Sequence, residues 1–340
     1  MPLRGLPDIP GVVARPMSLG HADGVAVAAL VDEESRLGGK PTVSDPDEMV
    51  QDLGFIEHLD PSRDTLILEV SSDGGSSIPV AYAVVRSFRE SPGPRVLRHM
   101  VKVHPQYLRR GIGTAVLGWC RARLDEMAAQ VIPTDPAATP VVYRTTIGYD
   151  TPGGLALMER EKYEPVAYWG EMERPLDDLP SGGLPDGVEL RPVDESQLRT
   201  IWEAEAEASR DHWGYIEPTD AHFREFLEFP HTDHSLWTVA WHQDEVVGQI
   251  RAFINHQENR ELGLKVGWTE WISTARPWRR RGIAGAMLCE SMRRLADRGM
   301  DTARLGVHTD NPNGAFRLYE NHGFVQTARS TEFEKAVPAR

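Results

Sequence analysis

A short basic turn containing one glycine stands before a helix in the second half of the chain. Its sequence is Arg279-Arg280-Arg281-Gly282-Ile283-Ala284. A β-favouring segment precedes it, and apolar residues from Met287 to Leu295 recur at helical spacing after it. A helix start exposes unpaired N–H groups and the positive end of the helix dipole, and glycine lets a ligand approach the backbone. The turn is therefore a candidate site for a phosphate or pyrophosphate, the alternative being a solvated helix start.

The same pattern occurs earlier in the chain, where Gly111 precedes Gly282 by 171 positions. Leu108-Arg109-Arg110-Gly111-Ile112-Gly113 follows an alternating strand and precedes a helix. A second pair of matching segments, GVVARPM at 11–17 and GVELRPV at 187–193, is offset by 176 residues. We interpret the two similar offsets as a tandem duplication.

Length and composition also predict two globular domains. The chain has 340 residues, of which 40% are hydrophobic, and its formal net charge is −14. This charge argues against a nucleic-acid partner and would attract a cationic amine. No apolar stretch approaches the ~20 residues that span a bilayer, so we predict a cytoplasmic protein without a membrane partner. Cys120 and Cys289 are expected to be buried rather than disulfide-bonded.

Residue patterns predict helices and strands in both halves. In the first half they indicate a helix at His21–Val31 and strands at Thr65–Val70, Pro79–Phe88 and Val96–Val103, and the pattern becomes irregular after Gln130. In the second half they indicate a helix at Glu195–Ser209, strands at Leu236–Trp241, Val246–Asn255, Gly267–Thr274 and Ala303–His308, and a hairpin pair at Phe324–Lys335. We predict domains at 1–173 and 187–340, joined by a Pro- and Gly-rich linker at 174–186.

A third motif lies downstream of the second turn. Asn311-Pro312-Asn313 leads through Leu318-Tyr319 to Gly323-Phe324. Together with Arg279-x-x-Gly282-x-Ala284 after a strand, it resembles the GNAT family of acyl-CoA-dependent N-acetyltransferases. The resemblance implies an α/β fold (α+β, mixed sheet) with two tandem GNAT domains, acetyl-CoA as co-substrate and no metal. The tandem arrangement is similar to that of actinobacterial two-domain acetyltransferases such as mycothiol synthases.

The resemblance also implies roles for individual residues. The strand before the turn would part from its neighbour, and the pantetheine arm of the cofactor would lie in the gap. The cofactor-binding residues would then be Ile272, Ser273 and Thr274 along the arm, and Arg279, Arg280, Arg281, Gly282, Ile283 and Ala284 at the pyrophosphate. Asn311 is either a helix N-cap or a cofactor contact. Tyr319 is expected to protonate the leaving thiolate, since a phenol with a pKa near 10 matches the basicity of coenzyme A.

Several residues are candidates for the general base. Glu270 lies on the strand before the turn, where alternation would put it on the same face as Ile272. His308 at the end of the next strand, His212 on an acceptor-side loop and Glu258 on another loop are the rivals. We select Glu270, although a structural carboxylate and deprotonation through water are both open alternatives.

The two copies differ at their functional positions. Alignment of Lys162-Tyr163 with Gly323-Phe324 puts Met158 in the place of Tyr319, and Leu108 stands where the second turn has Arg279. We therefore predict a degenerate first copy and a catalytic second copy. The first copy keeps residues with which it could still bind the cofactor: Val101, Val103, Arg109, Arg110, Gly111 and Gly113.

The identity of the acceptor stays open at this point. The predicted reaction is transfer of an acetyl group to a primary amine of a small molecule, by a monomer or homodimer. A sugar–cysteine amine, an aminoglycoside-like amine and a peptide N-terminus all fit. The rival from another functional class is a non-catalytic module that binds or senses acyl-CoA.

Overall fold

The chain forms two compact units in its computed structural model, which describes residues 6, 10–71, 77–134, 140–311 and 313–337. The first unit comprises 1–166 together with 331–340, and the second comprises 167–330. Among the described residues, no helix is long and apolar enough to cross a membrane. Cys120 and Cys289 are buried free thiols, as predicted.

The first unit is built on a sheet of five strands in the order β1-β2-β3-β4-β5. The strands are β1 (Val12–Arg15), β2 (Thr65–Ser71), β3 (Ser77–Arg89), β4 (Arg95–Val103) and β5 (Val141–Gly148), and the helices are α1 (His21–Leu37), α2 (Pro46–Gly54), α3 (Pro61–Asp64), α4 (Ile112–Thr134) and α5 (Pro152–Arg160). Only the β4–β5 pair is parallel among these strands. Helix α4 buries Val116 and Leu124 in the main core of this unit, while α1 and α2 enclose a second cluster around Leu30.

The second unit repeats this plan. Its strands are β6 (Glu164–Pro175, which begins in the first unit), β7 (Val188–Arg191), β8 (Thr238–His242), β9 (Glu245–Phe253), β10 (Val266–Thr274) and β11 (Thr302–His308), and its helices are α6 (Leu198–Ala208), α7 (Asp220–Glu228), α8 (His256–Leu262), α9 (Ile283–Asp297) and α10 (Ala315–Asn321). Strands β10 and β11 are parallel, and the neighbouring pairs are antiparallel. Helix α9 buries Met287, Met292 and Leu295 on one face of the sheet. An aromatic cluster under α6 and α7 contains Phe226, Trp237 and Trp241.

The units are divided elsewhere than at the predicted linker. Strand β6 pairs with β11 from Trp169 to Pro175, so these residues belong to the second unit. The sequence-based prediction had put them in the first domain and at the start of the linker at 174–186. Between β6 and β7, the segment without helix or strand is 176–187. Pro175 did not exclude a strand because it stands at the strand end, where a missing N–H is tolerated. The chain re-enters the first unit within β12 (Val325–Ala336).

Three local predictions are wrong. Phe324–Lys335 is not a hairpin pair, because β12 runs unbroken and contains no Gly, Pro, Asn or Asp to make a turn. The stretch after Gln130 is less irregular than predicted, since β5 and α5 lie within it. Glu258 lies in α8 rather than in a loop, because the Asn255 side chain caps that helix by accepting the Glu258 N–H at 2.9 Å.

Candidate active site

The second basic turn joins β10 to α9 with two left-handed residues. Arg280 has φ 62° and Gly282, the N-cap of α9, has φ 85°. Alternation of left-handed residues with ordinary ones points successive N–H groups toward one side, a geometry that binds anions. The site is open, because an added Cβ at Gly282 would meet nothing within 4 Å. This turn can receive a pyrophosphate through its backbone.

The first unit repeats the turn in detail. Arg109 has φ 61° and Gly111 has φ 85°, each 171 residues before its counterpart. The guanidinium of Arg110 lies 5.0 Å from the ring centre of Tyr107, as that of Arg281 lies 4.8 Å from that of Trp278. The duplication inferred from sequence therefore extends to backbone conformation and side-chain stacking.

Strand β10 parts from β11 before it reaches the turn. The parallel pairing runs from Val266 to Trp268, and within the described residues no pair with β11 follows. The register with β9 shifts between Glu270 and Ser273, and Trp271 has φ 48°. The later residues of β10 thus have one backbone edge available to an extended ligand.

This bulge overturns one sequence-based expectation. Glu270 pairs with Arg251 and Ser273 pairs with Gln249, so Glu270 shares a sheet face with Ser273. Ile272 instead packs against the core beneath α9. An extra residue in the strand has shifted the alternation by one, and Glu270 consequently faces away from Ile272.

Glu270 occupies the gap between the diverging strands. Its Oε1 accepts the Gly306 N–H at 2.7 Å, where a strand partner would otherwise bind. Burial, opposed in part by that hydrogen bond, and the charge of Glu171 raise the pKa of Glu270 to about 7. A carboxyl with this pKa can accept and release a proton at neutral pH.

Tyr319 lies close enough to Glu270 for the two to interact electrostatically. The tyrosine is only 5% exposed, and its ring packs edge-on against Phe324 with 6.2 Å between centres. Burial and the negative charge of Glu270 raise the pKa of the Tyr319 phenol. The phenol therefore keeps its proton and can act as a donor.

The side chain of Arg279 is engaged within the protein. Its guanidinium donates to both carboxylate oxygens of Asp211, to the Ala208 carbonyl at 2.7 Å and to the Thr274 carbonyl at 3.2 Å. It also donates to Asn313 Oδ1 at 3.2 Å. Sequence reasoning placed Arg279 at the cofactor, whereas in the structure its side chain ties the turn to two loops.

Asn311 is not the N-cap of α10. That position belongs to Gly314, with φ 75°. Asn311 Oδ1 instead accepts the Asn313 N–H at 2.8 Å and shapes the loop, whose Pro312 lies outside the described residues. The cofactor-contact alternative stays a prediction.

An aromatic wall, defined here as Trp169, Trp213 and His308, lies at the end of β11. The His308 ring centre is 5.2 Å from that of Trp169 and 5.9 Å from that of Trp213. Burial lowers the pKa of His308 and of His212. Sequence reasoning found both histidines but missed Trp169, because nothing local shows that β6 pairs with β11.

Glu270 and Tyr319 are replaced by other residue types in the first unit. Met158, which replaces Tyr319, is buried at 2% exposure. The 171-residue offset puts His99 at the Glu270 position, where it hydrogen-bonds the Tyr163 hydroxyl at 3.1 Å and burial lowers its pKa to about 3. Strand β4 keeps its register with β3 from Arg95 to Val103 without a bulge, and Val101 and Val103 pack against the core.

Within the described ranges, no group of three or more His, Cys, Asp or Glu residues is placed to hold a metal ion.

Residues 197–324 match the model of the Acetyltransferase (GNAT) family. A protein of Parafrankia sp. (strain EAN1pec) named mycothiol acetyltransferase is 27% identical over 261 residues, which cover 70% of this chain and 75% of that protein.

Solved structures share the architecture over nearly the whole chain. A GCN5-related N-acetyltransferase from Sphaerobacter thermophilus has a TM-score of 0.73 and 26% identity, covering 98% of both chains. A tandem GNAT protein from the clavulanic acid biosynthesis pathway has a TM-score of 0.64 and 14% identity, covering 97% of this chain and all of that one. This second likeness bears on the fold alone. The mixed sheet and the tandem arrangement predicted from the sequence are both confirmed.

Proposed function

We propose that this GNAT-type N-acetyltransferase moves the acetyl group of acetyl-CoA to a primary amine of a small molecule, in its second unit. The observation that carries the proposal is the Glu270 carboxylate in the gap between β10 and β11, which interacts electrostatically with the buried phenol of Tyr319. A carboxyl with a pKa of about 7 and a buried, protonated phenol form an acid–base pair suited to this reaction. The pyrophosphate would bind the turn at Gly282, and the pantetheine arm would run along Ile272, Ser273 and Thr274.

The residues support direct attack of the amine on the thioester, without transfer of the acetyl group to a protein side chain. The amine nitrogen attacks the thioester carbonyl carbon while Glu270 takes up the proton that the nitrogen loses. The carbon–sulfur bond then breaks, and Tyr319 gives its proton to the departing thiolate. Backbone N–H groups at the β10 bulge would polarise the carbonyl oxygen as negative charge develops there.

The first unit lacks the acid–base residues that this proposal uses. It retains the turn at Gly111 but has Met158 and His99 in place of the acid–base pair. We assign it no chemistry. The Parafrankia relative is named mycothiol acetyltransferase, which makes a sugar–cysteine amine the first acceptor to test. Aminoglycoside-like amines and peptide N-termini are the alternatives.

The decisive experiment measures thiol release from acetyl-CoA with a panel of primary amines. Thiol release that depends on the presence of an amine would support the proposed acetyltransferase activity. Acetyl-CoA binding without release would support the non-catalytic sensing module instead. Calorimetric binding of acetyl-CoA, measured in parallel, separates these outcomes.

Matched variants test which of the two basic turns binds the acetyl-CoA that is used in turnover. Gly282→Glu puts a negative charge where the pyrophosphate would bind and should weaken acetyl-CoA binding and turnover by about tenfold or more. Gly111→Glu is the control, since both glycines have φ 85° and suffer the same backbone strain. Turnover should survive Gly111→Glu, and equal loss in both folded variants would contradict the assignment of the site.

Tyr319→Phe tests the proton donor. The ring is kept and only the hydroxyl is lost, so kcat should fall by roughly 10²–10⁴-fold, the usual contribution of general acid catalysis. Acetyl-CoA affinity should change little. A core tyrosine would instead lose about 1 kcal/mol of stability with near-normal turnover. A thermal melt and a rate measurement on the same variant distinguish the two.

A further inference from the structure

The bulge in β10 is formed by a residue that ordinarily avoids such a backbone conformation. Two residues of β10, Trp271 and Ile272, lie opposite the single residue Ile250 of β9. Trp271 has φ 48°, whereas a bulge residue in this left-handed region is usually glycine. A bulky residue in this conformation is strained and keeps it only where its surroundings hold it there.

The indole of Trp271 is held by a guanidinium and two aromatic rings. The guanidinium carbon of Arg251 lies 4.2 Å from the centre of the Trp271 ring. Phe229 meets the same ring edge-on with 5.2 Å between centres, and Phe253 lies at 6.0 Å. A guanidinium over an indole face is attracted to it, and burial strengthens the attraction. These contacts fix the direction of the Trp271 side chain and, with it, the backbone that carries it.

The side chain of Arg251 is itself fixed by two helices. Only 7% of Arg251 is exposed, and its guanidinium donates to Glu205 Oε2 on α6 at 2.5 Å. The guanidinium carbon also lies over the Phe226 ring of α7 at 4.7 Å, and Glu225 of α7 adds a second negative charge. The guanidinium cannot turn away from Trp271 without losing a buried ion pair. We call Glu205, Arg251 and Trp271 the bulge clamp.

The bulge separates two parts of the proposed site. On one side of it, Glu270 accepts the Gly306 N–H. On the other side, Ile272–Thr274 carries the backbone edge proposed for the pantetheine arm. Because side chains alternate along a strand, relaxation of the extra residue would turn one part relative to the other. The proposed base and the thioester would then no longer meet.

We propose that the bulge clamp aligns Glu270 with the pantetheine edge, and that Arg251 is a positioning residue for the reaction. The inference rests on the proposed function, since it concerns the base and the cofactor edge used in that reaction. Arg251 lies opposite Glu270 across the two strands, but its guanidinium is paired with Glu205. Arg251 therefore acts through Trp271 and not on the reacting atoms.

Two substitutions of Trp271 distinguish the clamp from simple packing. Valine keeps apolar bulk but is disfavoured at φ 48°, whereas glycine loses the indole and adopts this conformation freely. If the left-handed bulge is what matters, kcat of Trp271→Gly should exceed that of Trp271→Val by about tenfold. If Trp271 only fills space or contacts the acceptor, Trp271→Gly should be the poorer enzyme. An equal or reversed order of the two variants would overturn the inference.

A double-mutant cycle tests Arg251. Arg251→Met should lower kcat about tenfold in the wild-type background but less than about twofold in Trp271→Gly, because glycine does not need the clamp. A merely structural role predicts equal losses of kcat and of melting temperature in both backgrounds. Arg260→Met, at an exposed position on α8, is the control and should leave kcat unchanged. Should Arg251→Met fail to fold, Glu205→Gln/Arg251→Met replaces it, since that variant leaves no buried carboxylate unpaired.

Amide hydrogen exchange separates this inference from the proposed function. Arg251→Met should accelerate exchange in the peptide that spans β10, and the acceleration should be smaller in the Trp271→Gly background. Equal effects of Arg251→Met on kcat and on exchange in both backgrounds would overturn the inference. Absence of thiol release with every amine would instead overturn the proposed function and the catalytic role of the clamp. The exchange comparison would then still show whether the clamp holds the bulge.

Discussion

The carboxyl group of Glu270 is suited to accept a proton because its environment disfavours charge without forbidding it. Burial and Glu171 raise its pKa to about 7, while the Gly306 N–H stabilises the ionised form. The sequence made Glu270 the preferred candidate among several but could not show that its pKa is raised. Its pKa depends on Glu171, which lies on a strand that local patterns do not bring near β10.

The pH dependence of catalysis should reveal this group. Glu270 can act as a base only when ionised, so kcat should rise about tenfold per pH unit below pH 7 and level off above it. Glu270→Gln should abolish this limb along with most of the activity. A wild-type profile that is flat from pH 5.5 to pH 8 would contradict the assignment.

Stability gives a second, independent readout of the same group. The pKa of Glu270 is raised on folding from 4.5 to about 7, so the folded state binds the proton more tightly. Its stabilising contribution is therefore present below about pH 4.5 and is lost as pH rises to about 7. The melting temperature of wild type relative to Glu270→Gln should fall across that interval.

At the scale of elements, the basic turn at Gly282 was the most predictable part of the candidate site. Its glycine, the strand before it and the helix after it are encoded in contiguous residues, and all three are found. The bulge at Trp271 was not predictable, since no Gly or Pro marks it. The hairpin prediction at Phe324–Lys335 failed for a related reason, because alternation alone does not specify where a strand turns.

Arg279 joins the basic turn at Gly282 to the loop that carries His212 and Trp213. It hydrogen-bonds Asp211 in that loop and the carbonyl of Ala208 at the end of α6, and the Arg279 side chain lowers the pKa of Asp211 to about 2. Occupation of the turn can therefore influence the aromatic wall. This link spans three separate segments, which explains why sequence reasoning assigned Arg279 to the ligand.

Conservative substitution of Arg279 should change the KM for the acceptor amine more than the affinity for acetyl-CoA. Arg279→Lys keeps the charge but cannot reproduce the forked contacts to Asp211, Ala208 and Thr274. Loss of these bonds, each worth roughly 1 kcal/mol, should raise the amine KM about tenfold. Acetyl-CoA affinity should change by less than about threefold, and Arg224→Lys, at an exposed position on α7, serves as the control. A drop confined to acetyl-CoA affinity would show that Arg279 acts on the ligand directly.

At the scale of the whole molecule, the chain does not finish one unit before it builds the other. Residues 331–340 belong to the first unit although they follow the entire second unit. Two of them bind arginines there: Glu332 pairs with Arg98 at 2.5 Å, and Glu334 pairs with Arg144 at 2.6 Å. The sequence predicted two consecutive domains because a local pattern cannot report which distant strand a segment joins.

The last residues of β12 should accordingly stabilise the first unit. Arg144 is only 3% exposed and also pairs with buried Glu90, while Glu332 is 2% exposed. Removal of a partner from a buried ion pair typically costs up to about 3–5 kcal/mol, and we expect less here because Arg144 keeps Glu90 and Arg98 is partly exposed. Glu332, Glu334, Arg98 and Arg144 all belong to the first unit, so the loss of stability should be confined to that unit.

Hydrogen exchange can locate that effect. We expect Glu332→Ala and Glu334→Ala together to accelerate amide exchange in peptides from β4 and β5, while peptides from β8 and β9 keep their protection. Glu320→Ala, at an exposed position on α10, is the matched control and should change neither set. Faster exchange in β8 and β9 alone would show that the terminal residues stabilise the second unit. Unchanged exchange throughout would show that the two arginines are adequately solvated or paired without Glu332 and Glu334.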